Sequence, residues 1–285
     1  MSLLKSLNRS ENNREVREFS FSEADFDFIK QFMLKETGIS LADRKYSMVY
    51  GRLARRLRRH GFFNFKDYLR LVETDPEERV AFINALTTNK TQFFRERHHF
   101  DFITNHLIPQ WQDQNQRHVR IWSAGCSTGE EAYSIAITLA LSDIGDTAEC
   151  RVMATDLDTH VLGTARDGMY NVEASRSISI DALKVGFQRG TGSKQDLMRI
   201  KPDVKRLVTF KQLNLMTKWD HKNKMDVIFF RNVMIYFDRK VQQQLLQRFY
   251  EQLRPGGVLL IGHSENIGDM GQYFENLGQT IYRKL

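Results

Sequence analysis

The segment at residues 119–131, VRIWSAGCSTGEE, constrains the fold of this chain more than any other. It has the pattern of a buried strand, a turn and an acidic helix start, and Gly125 and Gly129 let the backbone approach a ligand closely. A second strand pattern, residues 151–155, ends at Asp156. A glycine turn after one strand and an acid after the next are typical of α/β sheets that bind a ribose. The segment therefore predicts a site for a ligand with an adenosine-like half.

The residues around the turn narrow the choice of ligand. The turn lacks the Gly-x-Gly-x-x-Gly pattern of dinucleotide sites and the Gly-Lys-Ser/Thr ending of phosphate loops. Glu130 and Glu131 follow Gly129 instead, and carboxylates repel a pyrophosphate. A cationic ligand without phosphate, such as S-adenosylmethionine, suits them better. An ordinary strand-to-helix turn with an acidic cap explains this loop equally well, because acids favour helix N-termini.

The composition is that of a globular protein that does not insert into a membrane. Of 285 residues, 41% are hydrophobic, and no apolar run reaches the roughly 18 residues of a transmembrane helix. Residues 1–21 form a polar tail without the apolar core of a secretory signal. Two cysteines make no disulfide framework, and no Cys/His cluster has zinc-ligand spacing, so we expect a cytoplasmic protein without a metal. The net charge of +7 suggests an acidic partner.

The patterns divide the chain into a helical part, residues 22–96 with the connection, and an α/β part, residues 97–285. Caps, glycine stops and apolar stripes predict helices over residues 22–38, 43–60, 75–86 and 97–111. Strand-like runs, which alternate with helices and predict a mostly parallel sheet covered on both faces, lie at residues 119–122, 151–155, 207–210, 227–230 and 258–261. Residues 279–283 are a candidate edge strand. Residues 170–205 break the alternation and predict a small β insertion around a glycine turn.

A second polar cluster follows the buried strand at residues 227–230. Arg231, Asn232 and Tyr236 come directly after it. Ligands of open α/β sheets bind at the carboxyl ends of the strands, so these side chains are predicted to lie at the ligand edge. Asn232 in particular needs hydrogen-bonding partners if it ends a buried strand.

Five segments resemble, in order, the chemotaxis receptor methyltransferases of the CheR family. They are NALTTNKTQFFR at 84–95, SAGCSTGEEAYS at 123–134, ATDLD at 154–158, RNVMIYF at 231–237 and GHSEN at 262–266. The resemblance runs from about residue 22 to the C-terminus. Ala124 and Ser127 stand where many S-adenosylmethionine-dependent enzymes have glycine, a departure that CheR-like sequences share.

The resemblance implies a fold, an activity and a set of cofactor contacts. The fold is a Rossmann-like methyltransferase domain with a small antiparallel β insertion, preceded by an all-α domain. The activity is methyl transfer from S-adenosylmethionine to glutamate side chains on the cytoplasmic helices of bacterial chemoreceptors, which leaves S-adenosylhomocysteine. The implied cofactor contacts are Asn89, Thr91, Arg95, Glu131, Asp156, Asn214, Leu215, Arg231 and Asn232.

Three of these side chains, and Tyr236 in addition, have expected roles. Asp156 holds the ribose hydroxyls, Glu131 contacts the cofactor amino group, and Arg95 pairs with the methionine carboxylate, because a guanidinium matches a carboxylate bidentately. Tyr236 orients the substrate carboxylate. Tyr236 and Arg95 are therefore the candidate catalytic residues. His98, His99 and His263 are interpreted as structural or supporting, and Asp156 with Asp158 is weak evidence for a metal.

Two surfaces are candidates for docking the receptor. Arg52, Arg55, Arg56 and Arg59 fall on one face of the second helix, opposite an apolar stripe, which suits an acidic surface but also plain solvation. In some family members a receptor C-terminal peptide adds a strand to the β insertion, whose turn here contains Gly190 and Gly192. The enzyme is expected to be a monomer that is recruited to receptor arrays.

Two other functions remain open at this point. Basic charge permits a nucleic-acid methyltransferase, although Arg231-Asn-Val-Met differs from the Asn/Asp-Pro-Pro-aromatic pattern of amino-directed base methyltransferases, and nucleic acid is not expected as a partner. A non-catalytic S-adenosylmethionine-binding regulatory module would keep the cofactor site without turnover. Asp156, Asn232 and Tyr236 argue against such decay.

Overall fold

The computed structural model describes residues 17–220 and 223–285, so the expected polar tail lies outside the described residues up to position 16. The described chain forms two compact units. The first contains residues up to Gln31 together with Ala42–Leu86, and the second contains Phe32–Leu41 and Thr87–Leu285.

The first unit is helical, and local caps fix several of its helix ends. Its helices are α1 (Glu23–Thr37, which ends in the second unit), α2 (Tyr46–His60), α3 (Phe65–Thr74) and α4 (Pro76–Leu86). Ser22 and Asp25 cap α1 reciprocally, with N–H to side-chain oxygen distances of 2.8 and 3.1 Å. Gly61 ends α2 with a φ of +70°. The sequence predicted α1, α2 and α4 but missed α3, which spans only ten residues.

A buried ionic network lies inside the first unit. The carboxylate of Glu78, which is only 3% exposed, receives hydrogen bonds from Arg56 (Nε to Oε1, 2.9 Å) and from the Tyr68 hydroxyl (2.7 Å). His60 Nε2 lies 2.8 Å from its other oxygen. Burial opposes ionisation of Glu78, but the hydrogen bonds from Arg56 and Tyr68 outweigh it and hold its pKa below the usual value.

This network predicts a pH-dependent contribution to stability. Because the folded state lowers the pKa of Glu78, its contribution is fully present above the pKa of an unfolded glutamate, about 4.3, and is lost as the pH falls through the folded value. We expect Glu78→Gln to lower the free energy of unfolding near pH 7 and the difference from wild type to shrink below pH 4. Urea unfolding followed by circular dichroism measures this. Glu73→Gln, at an exposed position of α3, is the control. If the free energy of unfolding depended on pH equally in both variants, the contribution assigned to Glu78 would be contradicted.

The second unit is built around a seven-stranded sheet. Its helices are α5 (His98–Phe102), α6 (Ile108–Asp113), α7 (Glu130–Ala140), α8 (Ile144–Thr147), α9 (Thr159–Asp167), α10 (Ile180–Gly186), α11 (Pro202–Lys205) and α12 (Arg239–Gln252). A π-helical turn, Ile103–Leu107, joins α5 to α6. The strands are β1 (His118–Ala124), β2 (Glu149–Asp156), β3 (Met169–Asn171), β4 (Phe187–Arg189), β5 (Leu197–Ile200), β6 (Val208–Gln212), β7 (Met225–Phe230), β8 (Leu253–Ile261), β9 (Phe274–Asn276) and β10 (Ile281–Lys284).

The order of the large sheet is β6-β2-β1-β7-β8-β10-β9. The first five of these strands are parallel, and β10 is antiparallel to both of its neighbours. Side chains alternate between the faces, so Ile121 enters a core with α5, α6 and α7, whereas Trp122 enters a second core with α12. Helices therefore cover both faces, as the sequence predicted.

Two features of the sheet test the finer predictions. The C-terminal strand exists but is not at the edge, because Tyr282 of β10 pairs with Asn276 of β9 on its outer side. This prediction was wrong because β9, with three residues, is too short to show a period. The small β insertion is confirmed as a three-stranded antiparallel sheet in the order β3-β5-β4, interrupted by α10.

Candidate functional site

The loop between β1 and α7 needs glycine at two positions. Gly125 and Gly129 have φ of +89° and +97°, where other residues are strained. A Cβ on Gly125 would lie 2.5 Å from Val233 Cγ2, and one on Gly129 would lie 2.8 Å from the Ala165 Cβ. The loop therefore packs closely against the turn that follows β7 and against α9.

Asp156 ends β2 and is held by backbone donors. Its Oδ2 accepts a hydrogen bond from the Ser127 N–H (2.8 Å) and its Oδ1 from the Asp158 N–H (2.9 Å). Burial raises the pKa of Asp156, and these backbone hydrogen bonds oppose the rise. The carboxylate thus joins the glycine loop to the end of β2, where two parallel strands meet.

Asp158 organises the connection that carries Asn89. Its Oδ2 accepts hydrogen bonds from Thr87 Oγ1 (2.7 Å) and from Asn89 Nδ2 (2.8 Å). Ser127 Oγ donates to the Asn89 carbonyl (2.8 Å), so the connection is also tied to the glycine loop. Sequence reasoning treated Asp158 only as a weak metal candidate. It left out the pairing with Asn89, which joins positions 69 residues apart.

Glu131 and Arg231 form an ion pair at the carboxyl edge of β1 and β7. Arg231 Nη1 lies 3.0 Å from Glu131 Oε2, and Ser123 Oγ donates to Glu131 Oε1 (2.7 Å). Burial raises the pKa of Glu131, and the Arg231 guanidinium opposes that rise. Arg231, whose side chain is 1% exposed, also donates to the Arg95 carbonyl. Arg231 therefore acts on the site indirectly, through its contacts with Glu131 and with the backbone of Arg95.

Glu96 is a second partner of Arg231 that sequence reasoning missed. Its Oε2 lies 3.4 Å from Arg231 Nη2, and its Oε1 lies 3.2 Å from His263 Nδ1 and accepts a 3.4 Å hydrogen bond from Asn232 Nδ2. Burial opposes ionisation of Glu96, but Arg231 and His263 outweigh it and lower its pKa. Glu96 was missed because the family-like segment 84–95 ends one residue before it. No sequence spacing links Glu96 to Arg231.

The remaining predicted cofactor residues lie in the segment after β6 and in the connection that carries Asn89. Asn214 donates to the Glu36 carbonyl (2.6 Å) and accepts from the Met216 N–H (2.9 Å), and Leu215 beside it is buried. Arg95 is half-buried and donates to the Lys90 carbonyl (3.3 Å). Thr91 is half-buried in the same connection.

Asn232 and Tyr236 lie on the turn after β7. Asn232 has a φ of +60°, and its N–H donates to Glu265 Oε2 (2.9 Å). The Tyr236 hydroxyl donates to the Thr88 carbonyl (3.4 Å), and its ring is half-buried. The turn after β7 therefore faces the connection that carries Asn89 and Thr91.

The predicted docking residues differ in their surroundings. Arg55 and Arg59 are exposed on α2, whereas Arg56 is held by Glu78, and Arg52 donates to the Ala85 carbonyl (3.4 Å). In the β insertion, a Cβ on Gly190 would lie 2.1 Å from the Lys194 carbonyl oxygen, and Gly192 has a φ of +57°. The turn between β4 and β5 thus requires glycine.

Glu96, His98 and His99 bring potential metal ligand atoms within 4.8 Å of one another. Both histidines point Nε2 at the Gln279 carbonyl at 3.1 Å, and burial lowers the pKa of His99 to about 3. The Arg231 guanidinium already neutralises Glu96 and repels a cation. These contacts support the structural interpretation of His98 and His99.

No helix in the described ranges has the length and apolar character needed to cross a membrane.

Two family models match the chain: the CheR methyltransferase all-alpha domain over residues 24–87 and the CheR methyltransferase SAM binding domain over residues 89–283. Together they cover most of both units.

Full-length relatives agree with the family models. The Chemotaxis protein methyltransferase 2 of Pseudomonas aeruginosa is 42% identical over 93% of this chain and 95% of its own length. The Chemotaxis protein methyltransferase of Escherichia coli is 45% identical over 92% of this chain and 91% of its own length. The Chemotaxis protein methyltransferase of Klebsiella aerogenes is 45% identical over 92% of this chain and 89% of its own length. With the glycine loop, Asp156 and the Arg231 turn gathered at one edge of the sheet, the chain belongs to the CheR family of S-adenosylmethionine-dependent methyltransferases.

Proposed function

We propose that this protein transfers a methyl group from S-adenosylmethionine to glutamate side chains on the cytoplasmic helices of transmembrane chemoreceptors. The products are glutamate methyl esters and S-adenosylhomocysteine. The observation that carries the proposal is the convergence of three elements at the carboxyl edge of β1, β2 and β7: Asp156, the Glu131–Arg231 pair and the Tyr236 turn. This edge is where α/β sheets bind ligands.

The donor set of the site suits S-adenosylmethionine. Asp156 supplies a carboxylate acceptor for two ribose hydroxyls, and Glu131 supplies a partner for an amino group. We assign the pairing with the methionine carboxylate to the guanidinium of Arg95, which is half-buried beside this edge, and the glycine loop has no lysine for a pyrophosphate. Bound S-adenosylmethionine supplies an electrophilic methyl group next to a positive sulfonium.

The residues of the site bind and orient, and no strong base is needed. A glutamate carboxylate has a pKa of about 4.3 and is already a nucleophile at neutral pH. Its oxygen displaces the thioether in line, so one C–O bond forms as one C–S bond breaks and the two opposite charges cancel. Alignment and exclusion of water are therefore the enzyme's main contributions. We assign the orientation of the substrate carboxylate to the Tyr236 hydroxyl.

A methyl-transfer assay distinguishes this proposal from its alternatives. With radiolabelled S-adenosylmethionine, we expect label on chemoreceptor that alkali releases as methanol, because carboxylate esters hydrolyse in base. RNA and DNA are the parallel substrates. Base-stable label on nucleic acid would favour a nucleic-acid methyltransferase, and no transfer to any of them would favour a cofactor-binding regulatory module.

We propose that the exposed arginines of α2 dock the acidic receptor surface. Arg55→Glu combined with Arg59→Glu should lower kcat/KM for receptor methylation by about tenfold or more at low salt, because charge complementarity drives association. The effect should shrink at high salt, and the affinity for S-adenosylmethionine should not change. Lys66→Glu combined with Arg70→Glu, at exposed positions of α3, is the matched double charge reversal, and an equal loss for both double variants would refute specific docking. Arg56 is excluded from the test because its reversal would leave Glu78 buried against a like charge.

The β insertion is the second proposed receptor contact. Both β3 and β4 are outer strands of its sheet, so an extended peptide can add to either edge. A receptor C-terminal peptide bound there would tether the enzyme, which we propose to be a cytoplasmic monomer, to receptor arrays and raise its local concentration. Calorimetric titration with receptor C-terminal peptides tests this contact.

A further inference from the structure

The carboxylate of Glu265 lies beneath the turn that follows β7. Glu265 follows β8 in the segment GHSEN and is buried. Its Oε2 accepts hydrogen bonds from two backbone N–H groups, that of Gly262 at 2.6 Å and that of Asn232 at 2.9 Å. One carboxylate oxygen therefore joins the ends of two neighbouring parallel strands.

The same carboxylate lies close to the helical turn that presents Tyr236. Met234–Tyr236 is a single 3₁₀ turn, closed by hydrogen bonds from Tyr236 N–H to the Val233 carbonyl (3.1 Å) and from Phe237 N–H to the Met234 carbonyl (3.0 Å). The N–H groups of Met234 and Ile235, at the start of this turn, also favour the ionised form of Glu265. Glu265 Oε1 itself has no hydrogen-bonding partner among the described residues, so these two N–H groups favour the anion by their position at the start of the turn.

The backbone around Glu265 is closely packed. Asn232 is in the left-handed region, with a φ of +60°. A Cβ on Gly262 would lie 2.4 Å from Asn232 Nδ2 and 2.9 Å from Glu265 Oε2. Glycine at position 262 is therefore what lets Asn232 and the Glu265 carboxylate lie side by side against this backbone.

Burying this charge is costly, which points to a role beyond packing. Burial raises the pKa of Glu265, and the surrounding backbone donors oppose that rise. An apolar residue would fill the same space without the desolvation cost, but it would leave the Asn232 and Gly262 N–H groups unpaired. We infer that Glu265 is a positioning residue for methyl transfer: its carboxylate fixes the β7 turn that carries Asn232 and Tyr236. This inference rests on the proposed role of Tyr236.

A double-mutant cycle between Glu265→Gln and Tyr236→Phe tests the inference. Glu265→Gln keeps one oxygen for the Asn232 and Gly262 N–H groups, but it loses the charge and turns an amide NH₂ toward the N–H groups of Met234 and Ile235. Misplacing a reacting group by about 1 Å can cost about 100-fold in rate. We expect it to lower kcat for receptor methylation by about 10- to 100-fold, but by less than about threefold in the Tyr236→Phe background, because the two residues act through one group. Glu265→Asp, which keeps the charge, should recover part of kcat.

Asp226→Asn is the matched control for a buried carboxylate. Asp226 is 5% exposed in β7 and accepts a 2.6 Å hydrogen bond from the Arg120 N–H, far along the strand from the turn. It should lower stability as much as Glu265→Gln while leaving kcat of the folded enzyme unchanged.

Each outcome of the cycle decides the inference. Effects of Glu265→Gln and Tyr236→Phe that simply multiply, or an unchanged kcat in Glu265→Gln, would overturn it. If Tyr236→Phe alone leaves kcat unchanged, both the role of Tyr236 and this inference fail, while base-labile labelling by the wild type would still support the proposed function. Should Glu265→Gln not fold, the same cycle with Glu265→Asp gives the decision.

Discussion

Replacing Asp156 by alanine is expected to weaken S-adenosylmethionine binding by at least about 100-fold, because hydrogen bonds to a charged acceptor contribute roughly 1.5–3 kcal/mol each. The variant loses the proposed acceptor of both ribose hydroxyls. It also loses the 2.8 Å hydrogen bond that ties Ser127 of the glycine loop to the end of β2. Isothermal titration calorimetry with S-adenosylmethionine and S-adenosylhomocysteine measures the change.

Two further variants separate the ribose contact from the loop contact. Asp156→Asn keeps the side-chain shape and one oxygen for the Ser127 N–H, so it should retain the loop but lose the charge. Asp203→Ala removes an exposed aspartate that pairs with Arg206 and should bind the cofactor normally. Wild-type affinity in Asp156→Ala would eliminate the ribose role.

The pH dependence of binding follows from the same carboxylate. Only the ionised form of Asp156 accepts both hydroxyls, and burial raises its pKa above the value of about 3.9 for a free aspartate. Below that raised pKa, affinity should fall about tenfold for each pH unit. The loss of affinity therefore begins at a higher pH than it would with an exposed aspartate. The affinity of Asp156→Asn should not fall in this way at acidic pH.

The sequence predicted the parts of the fold that have a strong period or a local cap. The Ser22–Asp25 box, Gly61 and the apolar runs of β1, β2 and β7 each specify their element within a few residues. The strand ends could be placed at one edge because parallel strands share a direction. Two short elements were missed: β9, which has only three residues, and α3, which has ten and was overlooked although its buried residues recur at helical spacing.

What the sequence did not show are pairings between distant segments. Glu96 pairs with Arg231, which lies 135 residues later in the chain. Glu78 on α4 pairs with Arg56 on α2. A helical wheel puts Arg56 among the docking arginines because it shows the face of a helix but not the partner across from it. Glu265 likewise was visible only as part of a motif, and its contact with the Asn232 N–H required the fold.

Removing Arg231 is expected to destabilise the second unit by about 3–5 kcal/mol, because it leaves buried carboxylates without a counter-charge. Arg231 is the cation beside both Glu131 and Glu96, at 3.0 and 3.4 Å. All three tryptophans, Trp111, Trp122 and Trp219, lie in this unit, so urea unfolding followed by tryptophan fluorescence reports on it directly. Arg239→Ala, which breaks an exposed pair with Asp269, should cost less than about 1 kcal/mol.

The pH dependence and a second substitution identify the cause of that loss. Arg231 helps to lower the pKa of Glu96, so its contribution is fully present above the pKa of an unfolded glutamate, about 4.3, and is lost as the pH falls through the folded value. The difference in unfolding free energy between Arg231→Met and wild type should therefore shrink in acid. Adding Glu131→Gln to Arg231→Met should restore part of the stability at pH 7, because it removes one of the two unpaired charges. A loss that neither acid nor Glu131→Gln reduces would mean that Arg231 stabilises the fold by packing against Phe100 and Phe229 rather than by charge.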